Sequence, residues 1–133
     1  MPKRLLIHSA VVFVVFSLYG FVVHGILLED TYNKVPGLWR PQAETDALMH
    51  WFFIAYALMA VPFSMIFAKG YENRGLGEGL RFGLLIGIFL GAVNLIFYAV
   101  QPSTVNLTII TFLADIGMTV AAGLALAAVY KPE

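Results

Sequence analysis

The sequence predicts an all-α membrane protein in which four transmembrane helices form an antiparallel bundle with both termini in the cytoplasm. Hydrophobic residues make up 60% of the 133 residues. The mean hydropathy of +0.84 is far above what a water-soluble domain of this size needs. In addition, the apolar residues gather into four long stretches, and the basic residues are divided unequally among the segments between them.

Each apolar stretch is long enough to cross a bilayer. A spanning helix needs about 20 mostly apolar residues, because every backbone polar group must be paired within the hydrocarbon core. The stretches cover about residues 5–28, 47–68, 80–100 and 105–129, and none has a lysine or arginine in its interior. Polar or turn-forming connections join them, which favours antiparallel neighbours. We therefore expect one domain, residues 1–133.

The basic residues predict the orientation of the bundle, because positive charge is retained on the cytoplasmic side of a membrane. One side of the predicted bundle carries both termini and the second connection, with six basic residues: Lys3, Arg4, Lys69, Arg74, Arg81 and Lys131. The other side carries only Lys34 and Arg40. Four aromatic residues near that side are expected to form an outer belt at the membrane surface: Tyr32, Trp39, Trp51 and Tyr98.

A row of glycines on the third span predicts close contact between helices. In lipid, helices associate where small residues allow their backbones to approach. Gly83, Gly87 and Gly91 follow one another at four-residue spacing, and Gly20 lies on the small-residue face of the first span. We expect these glycines to pack against another helix, either of this chain or of a neighbouring subunit.

Asp115 is a carboxylate near the middle of the fourth span, roughly 15 Å from its outer end at about 1.5 Å of rise per residue. An ionised carboxylate costs at least about 2.5–3.5 kcal/mol there, and no basic residue shares its level. We expect Asp115 to be protonated or hydrogen bonded, with Tyr19, Tyr56, Asn94 and Thr111 in the same intramembrane polar site. Such a site serves either as the proton or cation site of a transporter or as a contact that holds helices together.

Two histidines, His24 and His50, are predicted to lie one turn inside the outer surface on adjacent spans. Two imidazoles at equal depth can ligate a haem iron or, with the carboxylates of the first connection, a divalent metal. The alternative is an ordinary hydrogen-bonding role at the interface. The cofactor stays open, with none as the simpler expectation.

Other kinds of chemistry find no support in the sequence. The chain has no cysteine, which excludes disulfides and thiolate metal sites. Eight basic and eight acidic residues balance to a net charge of zero, so we expect no nucleic-acid partner. A nucleophile elbow, a phosphate loop and a carboxylate pair within a span are all missing from the sequence. We therefore do not expect an enzyme.

Four short segments carry a resemblance to known proteins: HGILL at 24–28, GLWRP at 37–41, KGYE at 69–72 and GLRFG at 79–83. With them the chain resembles an uncharacterised family of small bacterial inner-membrane proteins with four transmembrane helices, over nearly its whole length. The resemblance implies the bacterial inner membrane but brings no activity or site residue. Small multidrug transporters share the size and the four spans, but their coupling glutamate lies in the first span, where this chain has no acid.

Three functions from different classes fit these patterns. The first is an accessory or structural subunit that packs against a larger membrane complex through its glycine-rich faces, with membrane lipids and that complex, or further copies of the chain, as partners. The second is a small oligomeric transporter coupled to protons or cations through Asp115. The third is a haem- or metal-binding redox anchor that uses His24 and His50. The sequence favours the first, because packing faces are prominent and reaction chemistry is not.

Overall fold

The computed structural model describes residues 2–132 and contains eight helical segments in this part of the chain. Four of them are long, and short helices lie in the connection between the first and the second. The segments are α1 (Lys3–Tyr19), continued by a π-helix (Gly20–Leu27), α2 (Glu29–Asn33), a 3-10 turn (Pro36–Leu38), α3 (Gln42–Ala47), α4 (His50–Lys69), α5 (Leu76–Val100) and α6 (Val105–Val129).

Four helical stretches are long and apolar enough to cross a membrane: Lys3–Leu27, His50–Lys69, Leu76–Val100 and Val105–Val129. The prediction of four apolar helices is confirmed, and it indicates a multi-pass membrane protein. The largest difference from the predicted boundaries is at α5, which begins at Leu76 rather than near residue 80. Gly75 takes a φ of +67° just before it, and the glycine-rich segment that follows is helical.

A buried carboxylate explains why α5 begins early. Glu78 is only 4% exposed and accepts hydrogen bonds from the backbone N–H groups of Glu72 at 2.6 Å and Arg74 at 3.0 Å. It thereby fixes the turn between α4 and α5 against the first residues of α5. Arg81 pairs with Glu72 at 3.0 Å on the surface of the same turn.

Both chain ends and the α4–α5 turn meet at one end of the bundle, here called the terminal end. The ring of Tyr130 contacts those of His8 at 4.7 Å, Tyr71 at 4.4 Å and Phe67 at 5.3 Å between centroids. Residues 28–49 and the α5–α6 turn lie at the opposite end, here called the loop end. The four long helices are therefore arranged up and down.

α5 and α6 form the closest helix pair. A Cβ added at Gly83 would lie 2.5 Å from the Thr119 carbonyl oxygen and 2.5 Å from the Val120 Cα. The hydroxyl of Thr119 donates to the Gly83 carbonyl across the contact at 2.8 Å. Gly87 and Gly91 face α6 in the same way. The glycine row thus packs inside this chain.

The hydrophobic core lies in the terminal half of the bundle. α1 contacts both α4 and α6, while Phe82 of α5 reaches Phe63 and Phe67 of α4, with ring centroids 4.7 and 5.3 Å apart. The buried core residues are Val12, Phe16, Ala60, Phe63, Phe67, Met118, Ala122 and Leu126.

The loop half is packed more loosely. In α1, the π-helix and α4, the only buried residue on the loop side of Phe16 and Ala60, among residues 2–132, is Gly20. Bulky side chains such as Trp51 and Phe53 are exposed. The polar residues of the loop half therefore lie among fewer apolar contacts than the core.

Candidate functional site

A direct hydrogen bond joins α5 and α6 in the middle of the bundle. The side-chain amide of Asn94 donates through Nδ2 to Oδ2 of Asp115 at 2.6 Å, and both residues are half-buried. Gly91, one turn before Asn94, packs against Phe112 of α6. Because this glycine lets the helices approach, two short polar side chains can meet between them.

The other helices bring aromatic and imidazole groups to this pair. The hydroxyls of Tyr19 and Tyr56 and the imidazole of His24 lie within the range at which they interact electrostatically with the Asp115 carboxylate. Tyr32 of α2 is also within that range. Each long helix except α5 therefore contributes a titratable group to the site, and α5 contributes Asn94.

Two glycines make room for the tyrosine hydroxyls. The position that a Cβ would take at Gly117 is occupied by the hydroxyl of Tyr19, and the corresponding position at Gly20 by the hydroxyl of Tyr56. Gly20 therefore lies against α4, through the side chain of Tyr56. Both glycines thus admit phenol groups to the interior of the bundle near Asp115.

Tyr32 connects the first loop to the π-helix. Its hydroxyl is hydrogen bonded to Nδ1 of His24, and the two rings are stacked with an interplanar angle of 15°. Burial raises the pKa of Tyr32 to about 12, and the negative charge of Asp115 acts in the same direction. Trp39 donates from its indole nitrogen to the Tyr32 carbonyl at 3.0 Å. The loop is thereby attached above the site.

The π-helix Gly20–Leu27 carries both Gly20 and His24. Segments of this kind are rare, occur mostly as single-turn bulges within α-helices, and are frequent at functional sites. Here the segment spans eight residues and ends where the loop begins. It sets the position from which His24 meets Tyr32.

A crevice of about 200 Å³ opens at the loop end and reaches down to Asn94. It lies between α5 and α6 under the first loop. Its lining residues are Leu38, Trp39, Asn94, Phe97, Tyr98, Gln101, Ser103, Leu107, Thr108 and Thr111. Since Asn94 is bonded to Asp115, the foot of the crevice is one hydrogen bond away from the carboxylate.

Thr111 belongs to the crevice wall. Its hydroxyl donates to the carbonyls of Leu107 at 2.9 Å and Thr108 at 3.1 Å, within its own helix. The hydroxyl of Thr108 donates to the Thr104 carbonyl at 2.9 Å. The hydroxyl hydrogens of both threonines are therefore engaged, while their oxygens keep lone pairs.

The two histidines have different surroundings. His24 is half-buried and bonded to Tyr32, whereas His50 is exposed at the start of α4 and contacts the ring of Trp51 at 5.4 Å. Between residues 2 and 132, no group of three or more His, Asp or Glu side chains is placed to hold a metal ion. A metal or haem site at His24 and His50 stays a prediction.

Three residues near the site were not predicted as members of it: Tyr32, Trp39 and Gly117. Tyr32 and Trp39 were placed in an outer aromatic belt, because their hydropathy and position suit the membrane surface equally well. Only the path of the first loop brings them over the site. Gly117, two residues after Asp115, was the one detectable signal, since a small residue beside an intramembrane acid leaves space for a partner.

No family model, curated protein or solved structure matches the chain.

Proposed function

We propose that the chain is a small oligomeric transporter of the bacterial inner membrane, in which Asp115 is the coupling site for a proton or another cation. The observation that carries this proposal is the Asn94–Asp115 hydrogen bond at mid-span, at the foot of the crevice. An ionisable side chain inside a membrane is expensive to retain and commonly belongs to an ion or substrate pathway.

The surroundings of Asp115 suit a group that changes its charge. Within residues 2–132, no lysine or arginine forms an ion pair with Asp115, so no fixed cation neutralises the carboxylate. Its neighbours are an amide, an imidazole and phenols. A carboxylate in such a site is neutralised either by taking up a proton or by binding a cation, and each event changes its interaction with Asn94.

The orientation proposed for the bundle makes the crevice face outward. The terminal end carries six basic residues and the loop end carries two, which favours a terminal end, with both chain termini, that faces the cytoplasm. The crevice at the loop end then leads from the outer surface to the middle of the membrane. Transport would need a second state open at the terminal end, where the core is closed in this structure.

The accessory-subunit prediction has less support than the transport proposal. It relied on the glycine row as a face for a larger complex, and α6 of the same chain covers Gly83, Gly87 and Gly91. The apolar surface that is left faces outward on all four helices, as lipid-facing residues do. An accessory role stays a prediction, with no contact surface that favours it over transport.

Charge movement in proteoliposomes tests the proposal. Purified protein in liposomes on a solid-supported membrane would be exposed to jumps of pH and of monovalent cations. We expect transient currents that Asp115→Asn abolishes. Glu72→Gln is the control, because Glu72 is an exposed carboxylate of the α4–α5 turn, paired with Arg74 and Arg81 far from the crevice, and it should leave the currents unchanged. Currents that are absent in the unsubstituted protein, or unaffected by Asp115→Asn, would contradict the proposal.

A further inference from the structure

We propose that the crevice binds a small primary ammonium ion, and that this is the substrate class of the transporter. This inference rests on the proposed function for its transport role, but binding itself depends only on the crevice. It is carried by the hydrogen-bonding state of the crevice wall, the aromatic side chains around it, the charge at its foot and mouth, and its size.

The wall of the crevice offers acceptors to a ligand. The hydroxyl hydrogens of Thr108 and Thr111 are used on carbonyls of α6 and its N-terminal cap, and the indole N–H of Trp39 is used on the Tyr32 carbonyl. Asn94 donates to Asp115, and within residues 2–132 its oxygen Oδ1 accepts no hydrogen bond from the protein. Lone pairs of Asn94, Thr108 and Thr111 therefore face the lower part of the crevice, while Tyr98, Gln101 and Ser103 nearer its mouth keep polar hydrogens. The lower part thus favours a ligand with several N–H donors.

Aromatic side chains form the upper part of the crevice. Trp39, Phe97 and Tyr98 line it at the loop end, and all three are exposed there. Such rings offer apolar surface to an alkyl chain. Oxygen acceptors alone would also suit a bare metal ion, but aromatic walls add attraction for an alkylammonium ion, which carries both charge and apolar surface.

The charge around the crevice is negative. Asp115 lies one hydrogen bond below its foot, and the first loop above it carries four acidic residues and two basic ones. One of the basic residues, Arg40, is paired with Glu44 at 3.6 Å. A positively charged ligand is therefore attracted both at the mouth and at the foot of the crevice, whereas an anion is repelled at both.

The volume limits the size of the ligand. The crevice holds about 200 Å³, below the range of about 300–1,000 Å³ of pockets for drug-sized molecules. A ligand of only a few heavy atoms therefore suits it better than a drug-sized molecule. n-Propylammonium, with its ammonium group toward Asn94 and its alkyl chain toward Trp39, matches this space.

Tryptophan fluorescence in detergent can report the binding. The chain has two tryptophans, and Trp51→Phe leaves Trp39 as the only one. In this background we expect n-propylammonium to change the emission of Trp39 saturably. n-Propanol, which has the same shape without the charge, tetramethylammonium, which has no N–H, and sodium should give at most a weak change.

Two substitutions locate the site. Thr111→Val removes a hydroxyl acceptor while keeping the shape of the side chain, and Asp115→Asn removes the charge at the foot. Each should raise the Kd for n-propylammonium about tenfold or more, as expected for a hydrogen bond to a charged group. Thr45→Val, the same substitution in the first loop, is the matched control and should leave the Kd unchanged.

The outcomes separate the two proposals. The ammonium inference is overturned if n-propylammonium does not bind, if sodium or tetramethylammonium binds equally well, or if Thr111→Val has no effect. Ion-driven currents without ammonium binding would overturn this inference and leave the transport proposal standing. Ammonium binding without any current in proteoliposomes would support the ligand class and overturn transport.

Discussion

At the scale of single residues, the site depends on a few side chains whose neighbours are unusually small. Gly20 and Gly117 leave space for the hydroxyls of Tyr56 and Tyr19, and the short side chains of Asn94 and Asp115 meet because α5 and α6 approach closely. Asp115 and Asn94 could be predicted from depth and spacing, since both properties are local to the sequence. Tyr32 could not, because its position depends on how the first loop folds back.

Tyr32 provides a prediction at this scale. Its pKa in the folded protein is about 12, raised from 10.0 by burial and then by the charge of Asp115. The neutral phenol is therefore the form that the folded state favours. The contribution of the Tyr32 phenol to the free energy of unfolding is complete below pH 10 and is lost as the pH rises towards 12.

An absorbance titration of tyrosinate can check this. Compared with the unsubstituted protein, Tyr32→Phe should lack one transition near pH 12 and leave the titration near pH 10 intact. Loss of a transition near pH 10 would mean that the phenol is solvated, and that the contact between the first loop and His24 does not form in solution.

At the scale of helices, length and hydropathy were sufficient to predict the four long apolar segments, because both can be read from a continuous stretch. The π-helix and the short helices of the first loop could not be predicted in this way, since they depend on tertiary contacts such as that of Tyr32 with His24. The early start of α5 has the same origin, because the buried Glu78 holds the preceding turn.

The contact between α5 and α6 gives a prediction at this scale. Gly83→Ala would place a Cβ 2.5 Å from backbone atoms of Thr119 and Val120, which must move apart. We expect this overpacking to lower the free energy of unfolding by about 1–3 kcal/mol, measured by denaturant titration in mild detergent.

Gly77→Ala is the matched control, because a Cβ at Gly77 meets no atom within 4 Å and alanine is the better helix former by about 1 kcal/mol. It should leave stability unchanged or raise it slightly. Equal effects of the two substitutions would mean that Gly83 of α5 does not lie against Thr119 and Val120 of α6.

At the scale of the whole molecule, the bundle is closed at the terminal end by an apolar and aromatic core and is looser at the loop end, where the polar site lies. This difference between the two ends was not predictable from composition, because all four spans are similarly apolar. It arises because the large core side chains Phe16, Phe63 and Phe67 lie toward the terminal end.

The proposed orientation predicts which end is accessible from outside the cell. The chain has no cysteine of its own, so single cysteines can be introduced without background. Thr45→Cys in the first loop should react with a membrane-impermeant maleimide in intact cells. Lys131→Cys should react only after the membrane is permeabilised, and the reverse pattern would mean that the crevice opens to the cytoplasm.

If a carboxylate between α5 and α6 at mid-span carries the function, it should still work after the two members of the Asn94–Asp115 pair are exchanged. Ion-jump currents would be measured in proteoliposomes for the unsubstituted protein, for Asp115→Asn, and for the double variant Asn94→Asp with Asp115→Asn, which restores a carboxylate 2.6 Å away across the same hydrogen bond. We expect the single substitution to abolish the current and the exchange to recover a measurable part of it. Equal currents in all three proteins would contradict this role of the carboxylate.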